Sequence, residues 1–375
     1  MIDVFEKTIV KTKRIRLYTE SEPFEFECGK SLGPIDVAYE TYGTLNEDGT
    51  NAILICHALT GSAHAAFYNS VNDKIPGWWD PLIGAGRALN TDDYFVICSN
   101  VLGGCYGTTG PTSLNPKTMT MYGEEFPQMT IRDMVKVQKK LLDYLGVNEL
   151  QLVIGGSMGG MQVMEWLVSY PEMVKNAVPI ATGPAHTPWG IALNEVARQA
   201  ILNDMSFKNG DGRYSGEPNH GLALARMIGM ISYRSPESFL ARFNRERIFG
   251  ETGFNRFDRK NLFQVESYLH YQGSKLVERF DPITYLYLTY AMDLHDISYG
   301  RDKIPNVLAG IKSRVLCIGI DTDMLYPASE QRALAEMIPN ALYYELHSMH
   351  GHDAFLIEHR ILNDVIKGFL GGGNE

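Results

Sequence analysis

The sequence predicts an α/β fold that has a mainly parallel central sheet and an inserted block of helices. Three observations support this prediction. Short, fully apolar runs recur along the chain, and segments with helical spacing of apolar residues separate them. This alternation stops between about residues 185 and 305, where only helical patterns remain. Continuous apolar runs are typical of parallel strands buried on both faces, and strand-helix alternation is typical of βαβ units.

Composition limits the classes of partner. The chain has 375 residues, of which 45% are hydrophobic and 21% charged, a globular profile. Its formal net charge of −10 disfavours binding to nucleic acid or to anionic membranes. The longest basic run, "KTKRIR" at 11–16, is interpreted as a solvated strand face. No stretch approaches the roughly 18 apolar residues of a membrane span. From the charge and from this lack of a span, neither nucleic acid nor membrane is expected as a partner.

The cysteines and the amino-terminal segment favour a cytoplasmic protein. The start, "MIDVFEKTIVKTKR", is charged and lacks the apolar core of a signal peptide. The five cysteines form no CxxC pair. Cys56, Cys98 and Cys317 lie in apolar runs and are interpreted as small buried hydrophobic residues. A reducing compartment is therefore expected.

The strands are predicted in two groups. The first group alternates apolar and polar residues, which predicts successive antiparallel strands in "RIRLY", "FEFEC" and "IDVAYETYG". The second group is fully apolar and predicts the buried parallel strands: "AILICHA", "YFVICSN", "LQLVIGG", "NAVPIAT", "RVLCIGI" and "LYYEL".

The helices are predicted from apolar spacing and from their ends. The predicted segments are 130–145 with a stop at Gly146, 159–170, 190–204, 217–231, 236–248, 259–277, 282–294 and 328–337. The block between the inner strands and the last strands is interpreted as a lid over the carboxyl edge of the sheet. We therefore predict a core in two parts, residues 1–184 and 306–375, with a helical lid insertion at 185–305.

The stretch "GGSMG" (155–159) fits the pattern G-x-S-x-G. A predicted strand precedes it and a predicted helix follows, as in a sharp turn that presents a nucleophilic serine, here Ser157, at a helix amino terminus. Because the neighbours of such a turn must be small, Gly155, Gly156 and Gly159 are interpreted as letting the chain turn sharply around Ser157, with Gly160 allowing the helix to lie close to the sheet. A phosphate-binding loop is disfavoured because no Lys-Ser/Thr follows the glycines. A plain turn with a chance serine remains an alternative for this motif alone.

A serine nucleophile needs a base and a carboxylate that orients the base, in the chain order Ser, Asp or Glu, His. Asp321 and Asp323 follow a late strand, and the residues alone do not choose between them. Three histidines follow the last strand, at positions 347, 350 and 352. His352 is favoured because Gly351 gives its loop conformational freedom. A metal site made of His350, His352 and Asp353 is disfavoured because the cluster lacks a third histidine, so no metal is expected.

An acyl-transfer site also needs two backbone N–H groups that bind the oxyanion. Met158, the residue after the nucleophile, is one predicted donor. The other is expected from the loop "CHALTGSAHA" (56–65), with Leu59 favoured over Ala58. The histidines of this loop, His57 and His64, are expected to hold the backbone in place.

Five motifs occur in order along the chain: "HALTGSAH", "SNVLGGCYGTTGP", "IGGSMGGMQ", "DTDMLYP" and "HGHDAFL". Together they resemble homoserine O-acetyltransferases, and the likeness extends from about residue 12 to about residue 370. The resemblance implies an α/β-hydrolase fold with a helical lid. It also implies that acetyl-CoA acylates the serine and that L-homoserine then accepts the acetyl group in a ping-pong reaction that feeds methionine synthesis. Acetyl-CoA is then a substrate, no cofactor is permanently bound, and a homodimer forms through the helical block.

The resemblance also implies residue roles. Ser157 is the nucleophile, His352 the base, and Asp323 the acid of the triad, because the aspartate of the motif precedes x-Leu-aromatic-Pro. Asp353 is expected to bind the ammonium group of homoserine, although a helix N-cap is the structural alternative. An arginine of "LALARMIGMISYRS", either Arg226 or Arg234 with Arg226 favoured, is expected to bind the carboxylate of homoserine.

Three other functions stay open on the sequence. An esterase has the same triad and differs only in admitting water to the acyl-enzyme. A succinyltransferase differs from an acetyltransferase by one carboxylate on the acyl donor. A non-catalytic scaffold is the third alternative, because fold alone does not establish function. No basic cluster predicts the contacts of CoA.

Overall fold

Eight strands form one sheet in the computed structural model, which describes residues 7–207, 219–248 and 263–372. The order across the sheet is β1-β4-β6-β5-β7-β8-β9-β10. The strands are β1 (Lys13–Tyr18), β4 (Ile35–Tyr42), β5 (Ala52–Cys56), β6 (Phe95–Ser99), β7 (Leu150–Gly156), β8 (Asn176–Ile180), β9 (Arg314–Ile320) and β10 (Ala341–Leu346).

Five of the neighbouring strand pairs are parallel, which confirms the predicted class of sheet. β1 and β4 are antiparallel, as are β4 and β6, whereas every pair from β6 to β10 across the sheet is parallel. All residues of β5 are buried, as are nearly all of β7 and β9. Side chains on both faces of these strands therefore contribute to hydrophobic clusters.

The prediction for "FEFEC" as a strand of the antiparallel series is wrong. Only Phe24–Glu25 is extended there, as β2, and it pairs with β3 (Ser31–Leu32) in a separate two-stranded sheet. The Phe24 and Phe26 rings stack edge to face 4.8 Å apart, and Phe26 meets the Phe126 ring at 5.9 Å. The alternating aromatics thus fill a local aromatic cluster rather than one face of the main sheet.

The helices follow the predicted positions closely. They are α1 (Ile131–Leu145), α2 (Met158–Ser169), α3 (Pro188–Leu202), α4 (Asn219–Tyr233), α5 (Pro236–Phe243), α6 (Gln264–Val277), α7 (Pro282–Asp293), α8 (Ile304–Ala309), α9 (Ala328–Met337) and α10 (His359–Gly371). Helix α1 begins at a capping box between Thr130 and Asp133 and ends at Gly146 with φ of 78°, the left-handed conformation that favours glycine.

One helix prediction needs correction, and one helix has no predicted counterpart. The segment predicted as helix 236–248 ends at Phe243, because Asn244 takes a φ of 44°, which is not a helical conformation. Helix α8 was not predicted, since its six residues are too few for a clear periodic pattern. The predicted starts at 217 and 259 lie outside the described residues, which resume at Asn219 and Phe263.

Helices α3 to α7 lie in the chain between β8 and β9, where the block of helical patterns was predicted. Helix α4 packs against α3, α6 and α7. The limits assigned to this block, 185 and 305, stay a prediction. No helix within the described ranges is long and apolar enough to cross a lipid bilayer.

Candidate active site

Ser157 occupies a sharp turn between β7 and α2. Its φ of 58° and ψ of −125° are strained for a residue with a side chain. The serine is the residue before the first helical position, Met158, so its hydroxyl lies where unpaired N–H groups and the helix dipole favour negative charge. Such a turn is the expected seat of a nucleophile, and only 6% of Ser157 is exposed.

The glycines around Ser157 are needed for space. A Cβ on Gly159 would lie 2.1 Å from the Cys56 carbonyl oxygen, and one on Gly155 would lie 2.6 Å from the same atom. Neither glycine has a positive φ, so the turn needs them for their small size, as predicted. They allow the turn to lie against the end of β5. A Cβ on Gly160 would clash with Thr182, in agreement with the close helix-sheet approach predicted there.

Asp323 and His352 contact each other on the loops that follow β9 and β10. Asp323 follows β9, and its Oδ1 accepts hydrogen bonds from the N–H groups of Leu325 at 2.8 Å and Tyr326 at 2.9 Å. Its Oδ2 lies 2.7 Å from Nδ1 of His352. The two backbone bonds fix the carboxylate, and the carboxylate in turn fixes the imidazole. Both side chains are almost fully buried.

The other nitrogen of His352, Nε2, is buried and has no hydrogen-bond partner among the described residues. The ring is stacked on Tyr326 with centroids 5.4 Å apart, and Phe355 meets its edge at 5.6 Å. Ser157 and His352 line the same cavity, which has a volume of about 570 Å³. An oriented imidazole with an unpaired Nε2 in the same cavity as a serine suits general-base activation.

Asp321, the other aspartate that the sequence left open, faces a different group. Its Oδ2 lies 3.0 Å from Nδ1 of His347, and its Oδ1 accepts the N–H of Ser348 at 3.0 Å. The His347 side chain is 75% exposed. This second Asp-His pair therefore lies at the surface, while Asp323 and His352 lie inside.

The electrostatics of the buried pair favour a charged imidazole. Burial by itself lowers the pKa of His352, but the negative charge of Asp323, the hydrogen bond to it and the charge of Asp353 together outweigh burial and raise that pKa. Burial raises the pKa of the Asp353 carboxyl, against the opposing effects of Arg226, His352 and Arg234. The imidazolium that forms during proton transfer is therefore stabilised at this position.

The two predicted oxyanion donors lie beside the serine. Leu59 lines the cavity with Ser157, and Met158 is the next residue along the chain. Neither backbone N–H donates a hydrogen bond within the part of the chain that the structure describes. The Gln162 amide donates to the carbonyl oxygens of His57 and Met158, at 3.2 and 3.1 Å, and so ties the two segments together. Two unpaired N–H groups near a nucleophile suit an oxyanion.

The histidines of the 56–65 loop hold backbone and side chains in place. His57 Nδ1 donates to the Ala58 carbonyl at 2.8 Å, and its Nε2 accepts the N–H of Val101 at 3.1 Å. Burial lowers the pKa of His57 to about 4, so this ring is neutral. His64 bonds Glu40 at 3.0 Å.

Asp353 lines the cavity, and the two candidate arginines differ in their access to it. Of the two arginines, both within the described residues, only Arg226 lines the cavity with Ser157, His352 and Asp353. Arg234 Nη1 is 3.9 Å from the Asp353 carboxylate. Asp353 lies in a short 3-10 helix, Gly351–Leu356, whereas α10 begins at His359. The alternative that Asp353 is the N-cap of that helix is therefore wrong.

Two contributors to the cavity region, Tyr233 and Arg279, have no signal in the sequence that identifies them. Tyr233, at the end of α4, lines the cavity, and the Arg226 guanidinium lies 5.6 Å from the centre of its ring. Arg279 donates to the Thr60 carbonyl at 2.8 Å and to the Tyr106 hydroxyl at 2.7 Å. Tyr326, which stacks on His352, does have a signal, since it is the aromatic residue of the "DTDMLYP" motif. No group of three or more His, Cys, Asp or Glu side chains in the described ranges is placed to hold a metal ion.

Comparison with known proteins agrees with this fold. A family model described as the alpha/beta hydrolase fold matches residues 51–358. A curated homoserine O-acetyltransferase from Carboxydothermus hydrogenoformans is 51% identical over 366 residues, which cover 96% of this chain and 95% of that protein.

Two solved structures are similar over nearly their whole length. The crystal structure of homoserine O-acetyltransferase from Bacillus anthracis has a TM-score of 0.88 at 31% identity, covering 97% of this chain and 98% of that one. The crystal structure of esterase E22 has a TM-score of 0.87 at 30% identity, covering 96% and 100%. The fold thus accommodates both a transferase and an esterase, and the choice between them depends on the site.

Proposed function

The chain belongs to the homoserine O-acetyltransferase family of the α/β hydrolases, and on that premise we propose that it transfers an acetyl group from acetyl-CoA to the hydroxyl of L-homoserine. The observation on which the proposal rests is the cavity that contains Ser157, His352, Arg226 and Asp353 together. A nucleophile and its base there adjoin one cationic and one anionic side chain, as an amino-acid acceptor requires. No permanently bound cofactor takes part.

In the first half-reaction, Ser157 becomes acetylated. His352 Nε2 takes the proton of the Ser157 hydroxyl while Oγ attacks the thioester carbonyl carbon. The N–H groups of Leu59 and Met158 stabilise the oxyanion that forms. The C–S bond then breaks, and the imidazolium returns its proton to the leaving thiolate, so that CoA departs as the free thiol. The Asp323 carboxylate, 2.7 Å from Nδ1, stabilises the imidazolium throughout.

In the second half-reaction, homoserine takes the position that the thiol has left. His352 Nε2 accepts the proton of its hydroxyl, and the hydroxyl oxygen attacks the acetyl-serine carbonyl. The same two N–H groups bind the second oxyanion. The bond from Ser157 Oγ to the acyl carbon breaks, Oγ regains its proton from His352, and O-acetyl-L-homoserine is released.

The ends of homoserine are recognised by opposite charges. The guanidinium of Arg226 can bind a carboxylate through two parallel N–H groups, which favours an α-amino acid over a simple alcohol. Asp353 supplies the counter-charge for the ammonium group. Because Asp353 directly follows His352, binding the ammonium there places the homoserine hydroxyl near the base.

One experiment distinguishes this activity from its rivals. Thiol release is measured from acetyl-CoA and from succinyl-CoA, each with and without L-homoserine. We expect sustained release only with acetyl-CoA and homoserine together, and about one equivalent of thiol per Ser157 without the acceptor. The mass of the Ser157 peptide after exposure to the donor alone identifies the acyl group.

Each alternative gives a different result. Sustained release from acetyl-CoA without homoserine identifies an esterase that admits water to the acyl-enzyme. Preference for succinyl-CoA identifies the succinyltransferase. No release and no acylated peptide with either donor contradicts catalysis by this site and favours the scaffold alternative.

The carboxylate contact is tested by Arg226→Lys. Lysine keeps the charge but loses the two-pronged hydrogen bond, so the KM for homoserine should rise about 10- to 100-fold, the range of a charge-assisted hydrogen bond. Acetylation of Ser157 in the absence of homoserine, followed as a burst of thiol, should stay near the wild-type rate.

The comparison variant is Arg234→Lys, which should raise the KM for homoserine much less because Arg234 is not part of the cavity wall. If Arg234→Lys gives the larger increase, Arg234 and not Arg226 is the carboxylate ligand. If both variants slow the burst equally, the arginines act on acylation rather than on the acceptor.

The influence of Asp353 on the base is tested by the pH dependence of acylation. The negative charge of Asp353 raises the pKa of His352, so Asp353→Asn should lower that pKa. The neutral, active imidazole then persists to more acidic pH, and the acid limb of the burst rate should move to lower pH. The burst is measured with p-nitrophenyl acetate and no homoserine, so that loss of ammonium binding does not interfere.

The control for this variant is Asp364→Asn, an exposed carboxylate on α10. It should leave the acid limb where it is in the wild type. An acid limb that moves to higher pH in Asp353→Asn contradicts the proposed electrostatic coupling.

We extend the proposal to the setting of the protein. Its cysteines are all free thiols, which is typical of proteins in a reducing cytoplasm. Exposed apolar residues on the helices between β8 and β9 suit a homodimer contact; they are Leu224, Ile231, Leu240 and Tyr271. O-acetyl-L-homoserine made there supplies methionine synthesis.

A further inference from the structure

Two cavities of very different size meet at Ser157. The large one, about 570 Å³, contains His352, Arg226 and Asp353. The small one has a volume of about 20 Å³ and lies between α3, α4, α7 and the loop after β9. Ser157 and Leu59 line both, so the nucleophile and one oxyanion donor stand at the junction of the two spaces.

The geometry of acyl transfer separates the groups on the reacting carbon. In each tetrahedral intermediate that carbon bears Ser157 Oγ, the oxyanion, the acyl chain and one further atom. That further atom is the departing sulfur of the donor in one step and the attacking oxygen of the acceptor in the other. Both exchange a proton with His352, so both occupy the large cavity, where His352 lies. The acyl chain occupies a different position on the carbon from the sulfur and from the acceptor oxygen.

Resting on the proposed function, we infer that the small cavity is the acyl pocket and that it restricts the acyl group to two carbons. A volume of about 20 Å³ is enough for one group the size of a water molecule, such as the methyl group of an acetyl. Each further methylene would have to displace the surrounding side chains, which are closely packed. The apolar part of the wall consists of Leu193, Ala197, Ile228, Met292 and Leu325.

The charge of the wall excludes a succinyl chain as well. Within the described residues, no lysine or arginine lines this cavity. The polar groups of the wall are neutral, and burial lowers the pKa of the histidine among them, His186. Tyr326 Oη and His186 Nε2 lack partners among the described residues but supply no net positive charge. A carboxylate placed there would lose its hydration without a counter-ion, which is costly.

The test compares acyl chains on two kinds of leaving group. Acylation of Ser157 is measured with acetyl, propionyl and butyryl esters of p-nitrophenol and with the corresponding acyl-CoAs, in the wild type and in Leu193→Ala. The control is Leu342→Ala, the same truncation at an exposed position of β10. Succinyl-CoA is included in all three proteins.

In the wild type and the control, we expect the acylation rate to fall about tenfold or more for each added methylene. Leu193→Ala should raise the ratio of propionyl to acetyl rates about tenfold, because it removes three carbons from the wall. Succinyl-CoA should stay a poor donor in every variant. Butyryl rates that equal acetyl rates in the wild type, or an unchanged ratio in Leu193→Ala, overturn the inference.

A second variant guards against a folding defect in the first. Ala197→Val fills the cavity and should slow acetylation about tenfold while the melting temperature stays near that of the wild type. Normal acetylation in a folded Ala197→Val overturns the assignment. The two leaving groups separate this inference from the proposed function. If the esters show chain-length selection but no acyl-CoA reacts, the proposed acyl-CoA donor is refuted and the acyl pocket is retained. If all acyl-CoAs react at the same rate, the acyl pocket is refuted and an acyl-CoA donor is retained.

Discussion

Replacing Ser157 with alanine should lower kcat for acetyl transfer about 10⁶-fold, as removal of the nucleophile does in other serine triads. The acyl-enzyme cannot form without the hydroxyl, and His352 Nε2 then has no serine proton to take. The remaining oxyanion donors and binding groups give at most a weak background rate. The measurements are steady-state thiol release with homoserine and the mass of the residue 157 peptide after exposure to acetyl-CoA.

The fold of Ser157→Ala should remain intact. Alanine keeps the Cβ, so the strained φ of 58° is unchanged, and the melting temperature should stay close to that of the wild type. Labelling by a serine-directed phosphonate fluorophore should disappear. Near-wild-type turnover in this variant contradicts the acyl-serine mechanism and requires direct attack of homoserine on the donor.

Asp323→Asn should lower kcat about 10⁴-fold, as the corresponding change does in a well-studied serine triad. The asparagine oxygen can still accept the N–H groups of Leu325 and Tyr326, so the loop after β9 keeps its shape. The amide NH₂ then faces His352 Nδ1 in place of the carboxylate oxygen. This selects the tautomer whose Nε2 carries a proton, and Nε2 can no longer act as a base.

The matched control is Asp321→Asn, two residues earlier on the same loop. Asp321 bonds the exposed His347 and the N–H of Ser348, so its replacement should change kcat little. Steady-state rates of the two variants under identical conditions make the comparison. A large loss in Asp321→Asn together with a small loss in Asp323→Asn would exchange the roles of the two aspartates.

The difference between these aspartates explains what the sequence could predict and what it could not. The fully apolar runs predicted the parallel strands, and the position of Ser157 between a strand and a helix predicted the nucleophile turn. Both aspartates follow the same strand, however, so strand position alone could not distinguish them. The path of the loop decides, since it directs Asp323 inward and Asp321 toward the surface.

The substrate side of the cavity was harder to predict. Arg226 and Tyr233 belong to an amphipathic helix, and which of its residues reach the cavity depends on how α4 packs against α3, α6 and α7. Nothing in the local pattern specifies that packing. Arg279 is similar, because its bonds to Thr60 and Tyr106 join segments more than 170 residues apart in the chain. The alternation in "FEFEC" gave a wrong prediction for a different reason. A local aromatic cluster can produce the same alternation as a sheet face.

The proposed reacting groups and the proposed ligand of the acceptor's carboxylate come from different stretches of the gene. Ser157, Asp323 and His352 lie on loops at the edge of the sheet, whereas Arg226 lies on α4, between β8 and β9. Mutations in the helical stretch can therefore alter which molecule receives the acyl group without altering how that group is activated. Natural selection can retain the triad across a lineage while the acceptor changes. Recombination within the helical stretch would then exchange acceptor preference and leave the acyl-transfer reaction the same.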